Sequence, residues 1–297
     1  MTRRRPRNLE ILADAFGGQE IIESIFSGES FVVDGVEFVC GYVAESSAER
    51  FYILKPMHLI DRYRDLATHA SGGNIVELGI AEGGSAALLA LWASPAKLVT
   101  LDNETSRLDA LDEFAAQRGL GDRLRPYFGV DQADRNRLAE IIDKEFGDAP
   151  LDLVIDDASH AYWPTRASFE TLFPRIRPGG RYVIEDWEAD IAMADSVRIA
   201  FADPSSPHHE RVRQSIAASL KTGPGGRSSA GTTMARLALE IVILCGGQSG
   251  LVADISINKS FVAVTRGDAV VHAPDFRLDS YGVNGHGLLS PAIHPEA

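Results

Sequence analysis

Apolar residues in this chain fall into short unbroken runs, and between the runs they recur every third or fourth position. Runs of this kind, bounded by glycine, proline or charge, read as strands buried on both faces. They occur at 75–78, 98–101, 124–128, 151–156, 181–185, 240–245 and 261–265. Helical spacing fills most of the gaps, at 86–92, 105–118, 133–146 and 165–175. The alternation predicts an α/β fold: a doubly wound, mostly parallel, seven-stranded sheet with helices on both faces. Too little chain separates the last two runs for a helical crossover, so those strands are expected to pair antiparallel.

Ahead of the alternation, residues 8–25 carry Leu9, Leu12, Phe16, Ile21, Ile22 and Ile25 at helical spacing. Residues 30–40 alternate around Asp34-Gly35, a dipeptide that closes hairpins, and 55–69 is again helical with Pro56 in its first turn. The expected organisation is an N-terminal helix and hairpin cap over 1–50, the α/β domain over 51–270 and a polar C-terminal tail over 271–297 that adds little to the core. Within the domain, 189–233 breaks the pattern with a polar stretch holding His208, His209 and a glycine-rich run, followed by a helix over 234–241. Long polar insertions of this kind serve as lids. The two histidines have no partner set for a metal and read as lid or solvated residues.

Composition narrows the function. A net charge of −13 disfavours nucleic acid, whose phosphates call for clustered Lys and Arg. The arginines at positions 3, 4, 5 and 7 read as a solvated terminus, with no apolar signal core behind them. No apolar run is long enough to cross a membrane. Cys40 and Cys245 lie in apolar stretches without CxxC spacing, as expected of free thiols in a reducing compartment. The chain is therefore expected in the cytoplasm; a homo-oligomer and a small-molecule or oligosaccharide acceptor are expected as well, neither of them from composition.

The chemistry is written at the ends of four strands. Val76-Glu77-Leu78-Gly79-Ile80-Ala81-Glu82-Gly83-Gly84-Ser85 is a strand, a glycine turn and a helix start, without GxGxxG or GxxxxGK[ST] spacing. Glu77 and Glu82 would repel a pyrophosphate there, whereas the ammonium and sulfonium of S-adenosylmethionine would be attracted. The competing reading makes them solvated loop acids. Asp102 ends the next strand, where a carboxylate can accept from ribose hydroxyls or cap a helix. Two further runs end in acids: Asp156-Asp157-Ala158-Ser159-His160 and Glu185-Asp186. Neighbouring strand tips lie about 5 Å apart, so these carboxylates can share one divalent ion. The alternative is a pair of helix caps with a surface acid. Tyr162 and Trp163 follow, either to stack on a sugar or to anchor the next helix.

On these motifs the stretch from about residue 51 to 267 resembles the class I S-adenosylmethionine-dependent methyltransferases. The resemblance assigns cofactor binding to Glu77, Gly79, Glu82, Gly83, Ser85 and Asp102, sets Asp131 and Gln132 against adenine, and implies a Rossmann-like sheet with a reversed final strand. Asp156 is expected to point toward the cofactor. The combination of Asp156-Asp157-Ala158-Ser159-His160 with Glu185-Asp186 further resembles the metal-dependent sugar O-methyltransferases of macrolide and aminocoumarin pathways, and also the methyltransferases of mycobacterial methylmannose polysaccharides. That likeness implies Mg2+ held by Asp157, Glu185 and Asp186, with His160 as general base and Asp157 as the fallback base. Histidine's ordinary pKa of about 6.5 suits that task. The implied reaction is Mg2+-dependent methyl transfer from S-adenosylmethionine to a sugar hydroxyl. Alternatives are a catechol or phenol O-methyltransferase, a nicotinamide oxidoreductase, which the glycine spacing disfavours, and a non-catalytic module that binds a small molecule.

Overall fold

The computed structural model describes residues 29–40, 45–188, 191, 233–247, 250–281 and 289. The helix expected at 8–25, the lid at 189–233 with His208 and His209, and most of the tail lie outside the described residues.

A seven-stranded sheet forms the centre, built from β4 (Asn74–Leu78), β5 (Lys97–Asp102), β6 (Leu124–Phe128), β7 (Leu151–Asp156), β8 (Ile176–Glu185), β9 (Val252–Ile257) and β10 (Phe261–Arg266). Its order is β6-β5-β4-β7-β8-β10-β9, and β10 runs antiparallel to both of its neighbours. This is the Rossmann-like sheet with a reversed final strand that the resemblance implies. Helices α1 (Met57–His69), α2 (Gly84–Ala93) and α3 (Asp109–Gln117) pack on one face, and α4 (Arg135–Phe146), α5 (Tyr162–Leu172) and α6 (Met234–Gly247) on the other. With helices on both sides, β4, β5 and β7 are buried almost throughout, which is why they read as continuous apolar runs.

The hairpin forms as expected, with β1 (Ser30–Val33) and β2 (Val36–Cys40) joined at Asp34 and Gly35, both at positive φ. A third strand, β3 (Arg50–Ile53), adds to it in parallel and makes a separate small sheet. That sheet covers α2, a helix apolar on every side. Gly84 is required there because a Cβ would come within 2.5 Å of the Tyr52 carbonyl oxygen.

Two expectations fail. The run at 240–245 is not a strand: it continues α6, whose buried Met234, Leu237, Ala238, Ile241 and Leu244 recur at helical spacing. Starting the count at Glu240 hid that period. The sheet takes β9 instead, an exposed edge strand whose Ala253, Asp254 and Ser256 leave no apolar run to read. The tail also contributes more than its polarity suggested. Phe276 and Leu278 are buried, and the neighbouring Asp279 pairs with Arg166 at 2.7 Å.

Candidate active site

Parallel strands β4, β5, β7 and β8 all end at one edge of the sheet, and a cleft of about 1220 Å3 opens there. The glycine turn forms its floor. Gly79 sits at φ +95°, and a Cβ on it would lie 2.2 Å from the carbonyl oxygen of Asp157, so only glycine lets the two loops touch. The Gly79 amide donates to Leu101 and the Asp157 amide to Leu78, which locks the ends of β4, β5 and β7 together.

Asp102 holds the turn from the side. One of its oxygens accepts from the Ile80 and Ala81 amides at 2.8 and 3.2 Å, and the other from Glu104 at 2.8 Å. Gly79, Glu82, Asp102, Asp131 and Gln132 line the cleft with Asn103, Thr105 and Arg107. Glu77, Gly83, Ser85 and Asp156 are not on its wall. Glu77 is fully buried beneath the turn, and burial pushes its pKa up to about 8, a rise that the nearby Ser85 hydroxyl and Lys55 only partly oppose. Gly83 caps α2 in a left-handed conformation, packed on Leu108 and Phe51. Asp156 turns inward, where Gln132, Ser168 and Tyr182 each donate to it at 2.6 Å. Burial raises its pKa to about 6 against those bonds. Through Gln132, whose Oε1 accepts from the Ser159 amide at 3.2 Å, Asp156 steadies the loop above it.

That loop carries Asp157 and His160, and the end of β8 brings Asp186 to meet them. Ligand atoms of these three side chains lie within 4.8 Å of one another. His160 Nε2 is 3.9 Å from Asp157 Oδ1 and 4.0 Å from Asp186 Oδ2, too far for hydrogen bonds, and the two carboxylates lie close enough to each other to share one ion. Burial first and then Asp157 raise the pKa of Asp186, and His160 and Lys55 oppose them. His160 and Asp186 are held at φ +47° and +50°, and Ala81 at +45°, so three of the five non-glycine residues at positive φ among those described surround this cleft. Such conformations cost about 1–3 kcal/mol each and persist only where the surroundings impose them. At Asp186 the turn after β9 does so: the Asp186 amide donates to Ser260 and the Trp187 indole to Asn258.

Glu185 stands behind this group. Both of its oxygens are occupied, one by the Lys55 ammonium at 2.7 Å and the other by the Tyr63 hydroxyl. Lys55 also reaches Asp157 Oδ2 at 2.5 Å. Burial works to lower the Lys55 pKa, and the two carboxylates overcome it and raise it. Burial and Asp157 raise the pKa of Glu185, and Lys55 opposes them. Neither Lys55 nor Tyr63 was expected from sequence. The one signal was a lysine ending the apolar run Phe51-Tyr52-Ile53-Leu54. Tyr162 is the anchor of the two readings: it is fully buried, and its hydroxyl donates to Glu240 at 2.7 Å.

Residues 76–187 match a family model described as a methyltransferase domain. The chain is 52% identical over 62 residues to mycinamicin VI 2''-O-methyltransferase of Micromonospora griseorubida, a stretch that covers 20% of this chain and 15% of that protein. It is 42% identical over 74 residues to 8-demethyl-8-alpha-L-rhamnosyl tetracenomycin-C 2'-O-methyltransferase of Streptomyces olivaceus, covering 20% of each. Among solved structures it is similar to the MycE methyltransferase of the mycinamycin biosynthetic pathway with Mg and SAH, at 23% identity and a TM-score of 0.44, over 71% of this chain and 49% of that one. The curated matches are thus confined to a fifth or less of each relative's length. The stretch that matches the methyltransferase-domain model runs from the strand that opens the glycine turn to the second acidic tip, residues 76–187 of this chain.

Proposed function

We propose that this chain transfers a methyl group from S-adenosylmethionine to a sugar hydroxyl, assisted by a divalent cation. The observation that carries the reading is the meeting of Asp157, His160 and Asp186 over the same cleft that the glycine turn and Asp102 line. The rhamnosyl substrate named for the tetracenomycin relative supports a sugar acceptor.

S-Adenosylmethionine fits the floor of the cleft. Glu82 offers negative charge to a ligand with an ammonium and a sulfonium, and Asp131 and Gln132, which line the same cleft, would lie against its adenine. Asp102 acts through the turn it organises and through the lone pairs its three amide donors leave open. Asp157 and Asp186 suit Mg2+, which takes oxygen ligands and commonly uses one or two carboxylates. When bound, that ion would supply Lewis acidity and orient the acceptor's hydroxyls. Displacement at the methyl carbon needs the hydroxyl in line and its proton removed. His160 Nε2, on the cleft wall beside both acids, receives that proton. Asp157 cannot readily do so, because Lys55 holds one of its oxygens and the ion would take the other.

Calorimetric titration with S-adenosylmethionine, with NAD as the matched control, tests the cofactor. Methyl-transfer assays against glycosides and against catechols, with Mg2+ or with excess EDTA, test the rest. The expected result is saturable binding of S-adenosylmethionine alone, and turnover of a glycoside that EDTA abolishes while cofactor affinity is kept. Turnover of catechols alone would move the acceptor to the phenols, and full activity in EDTA would refute the role of the cation.

A further inference from the structure

The three acids at the tips of β7 and β8 are not equivalent. Lys55 follows β3, so the small N-terminal sheet delivers its ammonium to this point, with the side chain only 7% exposed. It binds Asp157 Oδ2 and Glu185 Oε2, and Tyr63 of α1 binds the remaining oxygen of Glu185. Glu185 is 1% exposed and absent from the cleft wall, whereas Asp157, His160 and Asp186 all line it. Asp157 Oδ1 is the oxygen left facing His160.

We propose that Lys55 is a positioning residue that sets the ligand set and the strength of the cation site. It withholds Glu185 and one oxygen of Asp157, and leaves Asp157 Oδ1 and Asp186 to hold the ion. This rests on the cation reading above. Two carboxylates rather than three leave more coordination positions for water and for the acceptor's hydroxyls, the arrangement in which Mg2+ is commonly held. The fixed positive charge of Lys55 also opposes the ion directly, so the site binds it less tightly than three free acids would. The protein trades cation affinity for an open coordination sphere and for an aspartate fixed in one orientation.

The test is Mn2+ titration of the full chain, followed by the loss of the free-ion EPR signal at physiological salt. The parent is compared with Lys55→Gln, Glu185→Gln, the double variant and Asp186→Asn. Lys55→Gln is expected to bind Mn2+ about tenfold more tightly or better, because the opposing charge is gone and Glu185 is released. Glu185→Gln stays within about fivefold of the parent, and the double variant loses most of the gain, since Glu185 is what Lys55 releases. Asp186→Asn weakens binding by at least about thirtyfold. Unchanged or weaker binding by Lys55→Gln overturns the proposal, and so does loss of binding in Glu185→Gln comparable to that in Asp186→Asn. If Lys55→Gln does not fold, judged by its thermal transition without metal, Glu185→Gln decides alone. A parent that binds no Mn2+, or an Asp186→Asn variant that binds like the parent, instead refutes the cation reading beneath it.

Discussion

Replacing Gly79 by alanine should damage fold and site together, through two separable costs. The residue sits at φ +95°, where a side chain costs about 1–2 kcal/mol. Its Cβ would also lie 2.2 Å from the Asp157 carbonyl oxygen, and that atom is backbone tied to β4 by its neighbouring amide. Relief requires the loop of Asp157 to move by about 1 Å, and overpacking of this sort adds about 1–3 kcal/mol. The total of about 2–5 kcal/mol corresponds to a fall in Tm of about 4–10 °C for a chain of this length. Gly119 provides the control: it lies at φ +64° and an added Cβ would meet nothing within 4 Å, so Gly119→Ala should show the conformational cost alone. Differential scanning calorimetry of both variants reads the difference, and Mn2+ affinity reads the displacement of Asp157. If Gly79→Ala loses no more stability than Gly119→Ala, the contact between the glycine turn and the Asp157 loop is not as close as argued.

Glu77→Gln should make the protein more stable at high pH. The folded pKa of Glu77 is raised from 4.5 to about 8, so its contribution is fully present below pH 4.5 and is lost as the pH rises through 8. Urea unfolding at pH 5 and pH 9 should show the variant gaining about 4 kcal/mol on the parent between the two, at about 1.4 kcal/mol per unit of the rise; a constant difference refutes the assignment. Tyr182→Phe removes one of three donors to the buried Asp156 and should cost about 1–3 kcal/mol in the same assay; a neutral result means that Gln132 and Ser168 satisfy that carboxylate without help. His160→Ala should keep S-adenosylmethionine affinity within a few-fold by calorimetry while losing about 100-fold or more in turnover; unchanged turnover moves the base elsewhere.

Much of this was legible in the order of residues. A two-faced parallel sheet must bury its strands on both sides, so β4, β5, β7 and β8 announce themselves as apolar runs, and the acids that interrupt them mark where the runs leave the core. Asp157, His160 and Asp186 were readable for that reason, as was the glycine turn. Strand β9 was not, because an edge strand with one solvated face has no apolar run to show. The run at 240–245 misled because six residues cannot tell a buried helix from a strand.

What the tertiary structure alone decided is which neighbours each acid has. Local sequence says that Glu77, Asp156 and Glu185 stand at strand ends, and nothing in it distinguishes them from Asp102, Asp157 and Asp186. A side chain's facing is settled by the pleat, by register against strands far away in sequence, and by what packs above the tip. Those contacts turn Asp156 toward Tyr182 and Ser168, and they bring Lys55 and Tyr63 to Glu185 across 130 and 122 residues of chain. The order of residues determined the parallel strands, the cleft edge and the acids that gather there. Only the folded arrangement decided which carboxylates face the cleft and which are spent holding it in place.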